Sequence, residues 1–501
     1  MRVRVRMYRQ GLGDCFLLTF GEGPAAKHAL IDCGSLGATT TGTRMQDVAR
    51  SIHDTTGRHL DLLIATHEHK DHVSGFLTEQ ETFDDIAVGH VWQAWTEDST
   101  DPLAKQIQKY RGDLITAAKL AATALEGNDL PAREDRRATA DLGAGIRKLL
   151  AFVDEDALAA GLATTVNEAM AWVTRKTQMT PEDFLRPERG PLEPDWLPGV
   201  RFYVLGPPRD PQALAKLGEH GSPELYGLAI RHAADLSTSA GFFARDEPLD
   251  EYHARLDADG RQELARLLPF DLRHRFESRD EAVRERFGGS YYAAEAGWRR
   301  IDFEWLTGAA DLALQLDGQT NNTSLALAIE LVDDGRVLLF PADAQVGNWL
   351  SWHERRNAAG DLEPVAWKVR DAGGQERTVT AADLLRRTVL YKVGHHASHN
   401  ATIREKGLEL MASDELVAMI PVDREVALRK TPPWQMPARE LYRRLIQKAR
   451  GRVLRSDVGW AARDDPDFAD LFNDAEWNDW RSAQQAARVE IHDLFIDWFL
   501  D

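Results

Sequence analysis

Residues 2–7 alternate Arg2, Arg4 and Arg6 with Val3, Val5 and Met7, a period of two that predicts a β-strand. A second apolar run at 15–20 follows a Gly11-Leu12-Gly13-Asp14 turn, and a third at 29–31 stops at Asp32, with Gly34 just beyond. Residues 44–57 read as a helix, and Leu62-Leu63-Ile64-Ala65 as a buried strand. Strand, helix, strand implies an α/β layered fold. From about 100 to 190 the pattern turns helical. Leu103, Ile107, Tyr110, Leu114, Ala118, Ala121 and Leu125 recur at threes and fours until Gly127-Asn128. Thr180-Pro181-Glu182-Asp183 carries the signals of a helix start: a cap, a proline, then acids. Residues 201–205 predict a strand closed by Gly206-Pro207-Pro208, and 209–318 read as mostly helical and charged. Strand signals return at 324–332, 337–340, 388–393, 416–421, 452–455 and 489–500, the first closed by Asp333-Asp334-Gly335.

These elements predict four stretches. Residues 1–77 form the first half of a core, 78–319 a mainly helical insertion with a core strand near 201–205, and 320–463 the second half. Residues 464–501 form an acidic, aromatic C-terminal segment with a closing strand.

Composition narrows the class. The chain has 501 residues, enough for a large core, and its 43% apolar content is that of a water-soluble globular protein. Its apolar runs fall far short of the roughly 20 residues that span a bilayer, and the alternating N-terminus is no signal peptide. With Cys15 and Cys33 as the only cysteines, both are expected to be buried thiols, and the cytoplasm is the expected compartment. The formal charge of −19 argues against broad, unassisted binding to nucleic acid or anionic membrane.

The candidate chemistry lies at strand ends. His67-Glu68-His69-Lys70-Asp71-His72 puts three histidines and an aspartate within six residues, directly after a strand. Two later strands end at Asp343 and at His395-His396. Strand ends on one sheet edge converge, so these groups are expected to share a site. A lone histidine or aspartate there is usually a cap; the clustering points instead to metal. Imidazole and carboxylate without thiolate suit zinc, manganese or iron. The expected set is two divalent ions, zinc first among them: His67 and His69 on one, Asp71 and His72 on the other, Asp343 bridging. One of His395 and His396 is a ligand and the other a substrate contact, the assignment being open. Such a pair supports hydrolysis by a metal-activated hydroxide oriented by Asp71.

The His-x-His-x-Asp-His motif resembles the signature of the metallo-β-lactamase superfamily. The finer resemblance is to the soluble metallo-hydrolase domain of ComEC-type DNA-uptake proteins and its stand-alone relatives. Gly11-Leu12-Gly13-Asp14-Cys15, Leu30-Ile31-Asp32-Cys33-Gly34, Asn321-Asn322-Thr323-Ser324-Leu325 and Lys392-Val393-Gly394-His395-His396-Ala397-Ser398 resemble that family's other conserved stretches, in order. The resemblance covers about half of the chain. It implies an αββα sandwich, interrupted here by the long helical insertion. It also implies a bacterial phosphodiesterase or nuclease whose metal ligands are His67, His69, Asp71, His72, Asp343 and His395 or His396. Three departures stand out. Ala342 precedes Asp343 where relatives have glycine, Ala397 replaces another glycine, and Asn321-Asn322 stand where many relatives carry a further histidine. The last leaves single-metal occupancy open.

Asn321, Asn322, Ser324, Lys392, Ser398 and His399 are candidate substrate contacts, Lys392 being equally a solvent-facing strand residue. Arg429-Lys430 with Trp434-Gln435 is either a nucleotide clamp or a packed loop. Two other functions remain open. The same metals would cut an ester, lactone or amide, which the net acidity favours slightly. Alternatively, the protein is a partner-gated subunit of a bacterial defence or DNA-handling complex, docking through the insertion or the C-terminal segment. Oligomeric state is not legible.

Overall fold

The structure, a computed structural model, describes residues 1–37, 39–112, 115, 165–216, 281–287, 318–357, 360–430 and 433–501. The chain divides into two compact units. One comprises Met1–Lys105, Phe152–Arg231 and Gly318–Asp501; the other comprises Gln106–Ala151 and His232–Asp317. Both sheets and the candidate site belong to the first. Of the second, the helix Glu281–Phe287 is described. The helix stop at Gly127-Asn128 and most of the helical pattern at 209–318 lie outside the described residues.

The first unit is mixed α/β with two large mixed sheets. Its strands begin with β1 (Val3–Tyr8), β2 (Cys15–Phe20), β3 (Lys27–Cys33), β4 (His59–Ala65), β5 (Ala87–Ala94), β6 (Phe184–Leu185) and β7 (Val200–Gly206). There follow β8 (Ala326–Leu331), β9 (Val337–Phe340), the hairpin β10 (Glu354–Arg356) and β11 (Leu362–Pro364), and the hairpin β12 (Ala366–Arg370) and β13 (Glu376–Thr380). The last are β14 (Thr388–Lys392), β15 (Val417–Ile420), β16 (Val453–Arg455), β17 (Gly459–Trp460), β18 (Val489–Ile491) and β19 (Phe495–Leu500). The first sheet runs β18-β19-β1-β2-β3-β4-β5-β6, antiparallel up to β3 and parallel from there. The second runs β17-β16-β15-β14-β9-β8-β7, with β9, β14, β15 and β16 parallel.

The alternation read from the sequence sorts side chains between cores. Val3, Val5 and Met7 of β1, Phe16 and Leu18 of β2, and Ile496 and Trp498 of β19 share one apolar core with Leu327 and Ile329 of β8 and Val417 and Met419 of β15. That core therefore takes residues from both sheets. The opposite face of the first sheet packs on helix α1 (Met45–Thr56), helix α2 (Lys70–Thr78) and the helix Thr165–Arg175 through Val48, Ile52, Phe76, Met170 and Trp172. The opposite face of the second sheet packs on helices Val346–Ser351, Ala381–Arg386 and Arg439–Lys448 through Trp349, Leu384, Leu385, Leu441 and Leu445. Burying each such side chain contributes about 1.5–3 kcal/mol. The charged side of β1 is paired rather than solvated: Arg6 donates from Nε and Nη2 to both oxygens of Asp497 on β19, at 2.8 Å each.

Several expectations are revised by tertiary pairing. Strand β5 lies within the span 78–319 yet extends the first sheet, whereas β7 coincides with the core strand read near 201–205 and pairs with β8. The Thr180-Pro181-Glu182-Asp183 signal closes a turn, not a helix. Asp183 accepts from Thr180 N and Oγ1, and the chain then pairs as β6 on β5. In the C-terminal segment Phe468 and Phe472 are buried against Tyr442, Trp477 and Trp480, so the aromatic face serves the core. Trp434 likewise packs on that core, with Lys430 Nζ 5.2 Å from its ring centre. Cys15 and Cys33 are opposite each other on β2 and β3, buried and free. Among the described residues no helix is long and apolar enough to cross a membrane.

Candidate metal centre

The ends of β3, β4, β9 and β14 come together where the two sheets meet. The junction is tied by Leu325 N, which donates to the Thr66 carbonyl at 2.9 Å. Strand β4 ends at Ala65, the chain turns through His67 and His69, and α2 begins at Lys70, so Asp71 and His72 fall in its first turn. Two glycines permit this approach. A Cβ on Gly34 would stand 2.3 Å from Asp71 C and 2.4 Å from His72 N, and one on Gly13 would stand 2.8 Å from the Asp71 carbonyl oxygen. Asp14 N in turn donates to that carbonyl at 2.8 Å.

The expected ligands converge. His67, His69, Asp71, His72, Asp343, His395 and His396 are all buried. His67 Nε2 lies 3.1 Å from His69 Nδ1, His72 Nε2 lies 3.1 Å from Asp343 Oδ2, and His396 Nε2 lies 2.8 Å from Asp71 Oδ2. Besides a group formed by Asp14, Asp32 and His72, two groups of three expected ligands have ligand atoms all within 4.8 Å of one another: His67, His72 and Asp343, and Asp71, Asp343 and His396. Asp343 is common to both. His72 falls with His67 in the first group, whereas the sequence reading paired it with Asp71. Of the adjacent histidines it is His396 that joins a group. His395 instead shares a 2.9 Å hydrogen bond between Nδ1 and Ser398 Oγ.

Each group is held from behind. His72 Nδ1 donates to Asp32 Oδ2 at 2.8 Å, and Asp32 also accepts from Thr66 N and Thr66 Oγ1 at 2.8 and 2.7 Å. His396 Nδ1 donates to the Pro421 carbonyl at 2.6 Å. Asp343 Oδ1 accepts from His395 N at 2.8 Å, and Asp343 N donates to Ser324 Oγ at 3.2 Å. An imidazole that donates one nitrogen to a carboxylate or carbonyl presents the other in a fixed direction. The backbone is bent to suit. Asp32, Ala342, His395, His396 and Ala397 all have left-handed φ, between 44° and 63°. Non-glycine residues hold that conformation at about 1–3 kcal/mol each, and such strain gathers at functional sites.

Several candidate substrate contacts have other work. Lys392 faces neither solvent nor an open site. Its ammonium is buried, pairs with Asp14 and Asp343, and donates to the Ala342 carbonyl at 3.0 Å. The Asn322 amide is spent on backbone: it donates to the Leu214 and Lys216 carbonyls and accepts from Gln345 N and Asn348 N. Ser324 supports Asp343, and Ser398 bonds His395 and Asn400. Asn321 is buried at the same turn, its carbonyl accepting from Ser324 N at 3.1 Å, and His399 is partly buried. Sequence reasoning did not assign roles to Asp14, Asp32 and Thr66. The available signal was an aspartate within two residues of a glycine at two strand ends, in Gly13-Asp14 and in Asp32-Cys33-Gly34.

The cluster is rich in buried charge. Asp14, Asp32, Asp71 and Asp343 are buried, and Lys392 is the basic side chain paired with two of them. Buried charge demands compensation, and Lys392 together with the raised imidazoles of His72 and His396 supplies it within the cluster. Burial, reinforced by neighbouring imidazoles, holds His67 well below its usual value. Burial likewise brings His69 to about 3 and His395 to about 4, leaving neutral nitrogens able to act as ligands. Burial also opposes charge on His72 and His396, but the surrounding carboxylates outweigh it and raise both. For Asp71, His72 and His396 outweigh burial and bring the carboxyl to about 2.

The donor set fits a divalent metal. Metal–nitrogen and metal–oxygen bonds of about 2.0–2.2 Å place neighbouring ligand atoms roughly 3–3.5 Å apart. The His67–His69 and His72–Asp343 separations, both 3.1 Å, fall in that range, and His396–Asp71 at 2.8 Å is just below it. Asp71 Oδ1 is buried without a hydrogen-bond partner, a coordinating atom left over by the protein. No family model, curated protein or solved structure matches this chain.

Proposed function

We propose that this protein is a metal-dependent hydrolase of the metallo-β-lactamase type, acting on phosphodiester bonds. The observation that carries the reading is the sharing of Asp343 between two buried ligand groups at the junction of the sheets. The order of the motifs supports the ComEC-like assignment. The separation of the apolar residues into one core common to both sheets and two outer helix-covered cores supports an αββα sandwich.

Zinc is the first choice for an N/O donor set of this kind, with manganese or iron as alternatives. His67, His69 and His72 would hold one ion and Asp71 and His396 the other, with Asp343 between them. When bound, such ions acidify water and polarise the scissile bond. The remaining steps belong to the chain. Asp32 and the Pro421 carbonyl keep the His72 and His396 rings oriented. Lys392 holds Asp343 ionised while sparing it a buried excess of charge. His395, kept neutral by burial and tied at Nδ1 to Ser398, is the group beside the ligands that can hydrogen-bond a phosphoryl oxygen of the substrate.

One observation favours a second reading, the hydrolysis of an uncharged ester or lactone. The ammonium best placed to attract a phosphate, that of Lys392, is already neutralised by Asp14 and Asp343. The test is turnover of bis-p-nitrophenyl phosphate, single- and double-stranded DNA, RNA, and a lactone panel with Zn²⁺ or Mn²⁺ added. Phosphodiester cleavage abolished in His396→Ala is expected. Lactone turnover without phosphodiester turnover would move the assignment to the second reading. No turnover of any substrate, together with no metal bound, would end both.

A further inference from the structure

A second cleft lies away from the ligand groups, between the loop that follows β6 and the β10–β12 segment. It has a volume of about 420 Å³ and is lined by Pro191, Arg355, Pro364, Val365 and Trp367 among others. That volume is in the range of small-molecule sites. Arg355 is its unusual member. Nη1 donates to the Pro187 carbonyl at 3.0 Å, while Nε and Nη2 are buried and make no hydrogen bond among the described residues. Glu188 also lines the cleft and is the carboxylate whose charge acts on Arg355, while the remaining charges have partners. Arg356 pairs with Asp210 at 3.2 Å, Lys368 lies 3.9 Å from Glu376, and Glu363 accepts from Asn357 at 2.7 Å.

The geometry of the unused atoms is informative. Nε–H and Nη2–H form one edge of the guanidinium, the parallel pair of donors that grips both oxygens of a carboxylate or two of a phosphate. A guanidinium shielded from water and lacking a carboxylate in contact is costly to leave uncompensated. Burial accordingly lowers its pKa, with only Glu188 acting in the opposite sense. The apolar walls at Pro191, Pro364, Val365 and Trp367 suit an organic body, and the volume exceeds what a bare inorganic ion needs.

We infer that this cleft binds a small organic anion, its carboxylate or phosphoryl group held side-on by Arg355. The site is separate from the candidate metal centre, and the inference does not depend on the hydrolase reading.

The experiment is titration calorimetry of the full-length protein with phenylphosphonate and with benzoate, in parallel with Arg355→Met and Arg355→Lys. Phenylphosphonate resists hydrolysis, so turnover does not intrude. Binding by the wild type is expected, at least about tenfold weaker in Arg355→Lys and lost in Arg355→Met. A preference for one probe identifies the oxyanion as phosphoryl or carboxylate. Without probe, Arg355→Met is expected to melt at or above the wild-type temperature, because it removes an uncompensated buried charge. Equal binding in wild type and Arg355→Met, or no binding by the wild type to either probe, would overturn the inference.

Discussion

Substituting Gly34 by alanine tests whether the close approach of β3 to the first turn of α2 builds the site. The added Cβ would meet Asp71 C at 2.3 Å, His72 N at 2.4 Å and Asp71 O at 2.5 Å, against ordinary contacts of 3.4–4 Å. All three are backbone atoms, so no side chain can swing aside. Relief requires β3 and α2 to separate by about 1 Å, and the separation acts on the two residues that carry ligand side chains. Overpacking of this kind costs about 1–3 kcal/mol of stability. A displacement of about 1 Å in a catalytic constellation costs on the order of 100-fold in rate. The expected result is a folded protein with a melting temperature lowered by a few degrees, metal affinity reduced at least about tenfold, and turnover falling further than stability. Metal affinity is read by competition with a chromophoric chelator, and stability by thermal unfolding with and without metal. A Gly34→Ala protein that binds metal as tightly as wild type would refute the argument that this contact sets the ligand geometry.

Asp32→Asn leaves the His72 ring without its carboxylate anchor, and a loss of about 10–100-fold in metal affinity is expected by chelator competition; an unchanged affinity would separate Asp32 from the centre. Lys392→Met strands Asp14 and Asp343 and is expected to destabilise by about 3–5 kcal/mol in urea unfolding, with part recovered in Lys392→Met/Asp14→Asn; a neutral single variant would show that the pair is not needed for the fold. Exhaustive chelation is expected to lower the melting temperature and metal readdition to restore it, because a ligand that binds only the folded state stabilises by mass action; no shift, with no metal found by elemental analysis, would count against the centre. At the far side of the second sheet, burial disfavours the Glu330 carboxylate. Hydrogen bonds from Arg387 and Tyr203 outweigh this and lower its pKa below the ordinary 4.5. Its contribution is therefore complete above about pH 4.5 and is lost as the pH falls through the folded value, so acid unfolding of Glu330→Gln should be less steep than that of wild type below pH 4.5, and identical profiles would refute the linkage.

How much of this was legible beforehand follows from the range over which each signal acts. Residues 67–72 mark a candidate metal site because their spacing is local: a strand end and one helical turn suffice to bring His67, His69, Asp71 and His72 together. Periodicity likewise reports which side of β1, β2, β8 or β19 is buried, since the pleat alone alternates the side chains. Beyond that range the signals fail for identifiable reasons. The Thr180 cap motif is satisfied equally well by a turn, and only the pairing of β6 on β5 chooses between them. Strand β5 has Gly89 and His90 at its centre, so its pattern is weak until the neighbouring β4 supplies the ladder. Lys392 looks like a solvent-facing charge until Asp14 and Asp343, from two other strands, surround it.

The chain's own order of residues thus determined the kinds of element, the candidate ligand side chains and their placement at strand ends. Tertiary structure alone decided that His396 rather than His395 joins Asp71, that His72 groups with His67 rather than with Asp71, and that Arg355 is left with an unmatched edge. Those outcomes depend on contacts between residues tens to hundreds of positions apart, and no local pattern encodes the partner that a buried charge will meet.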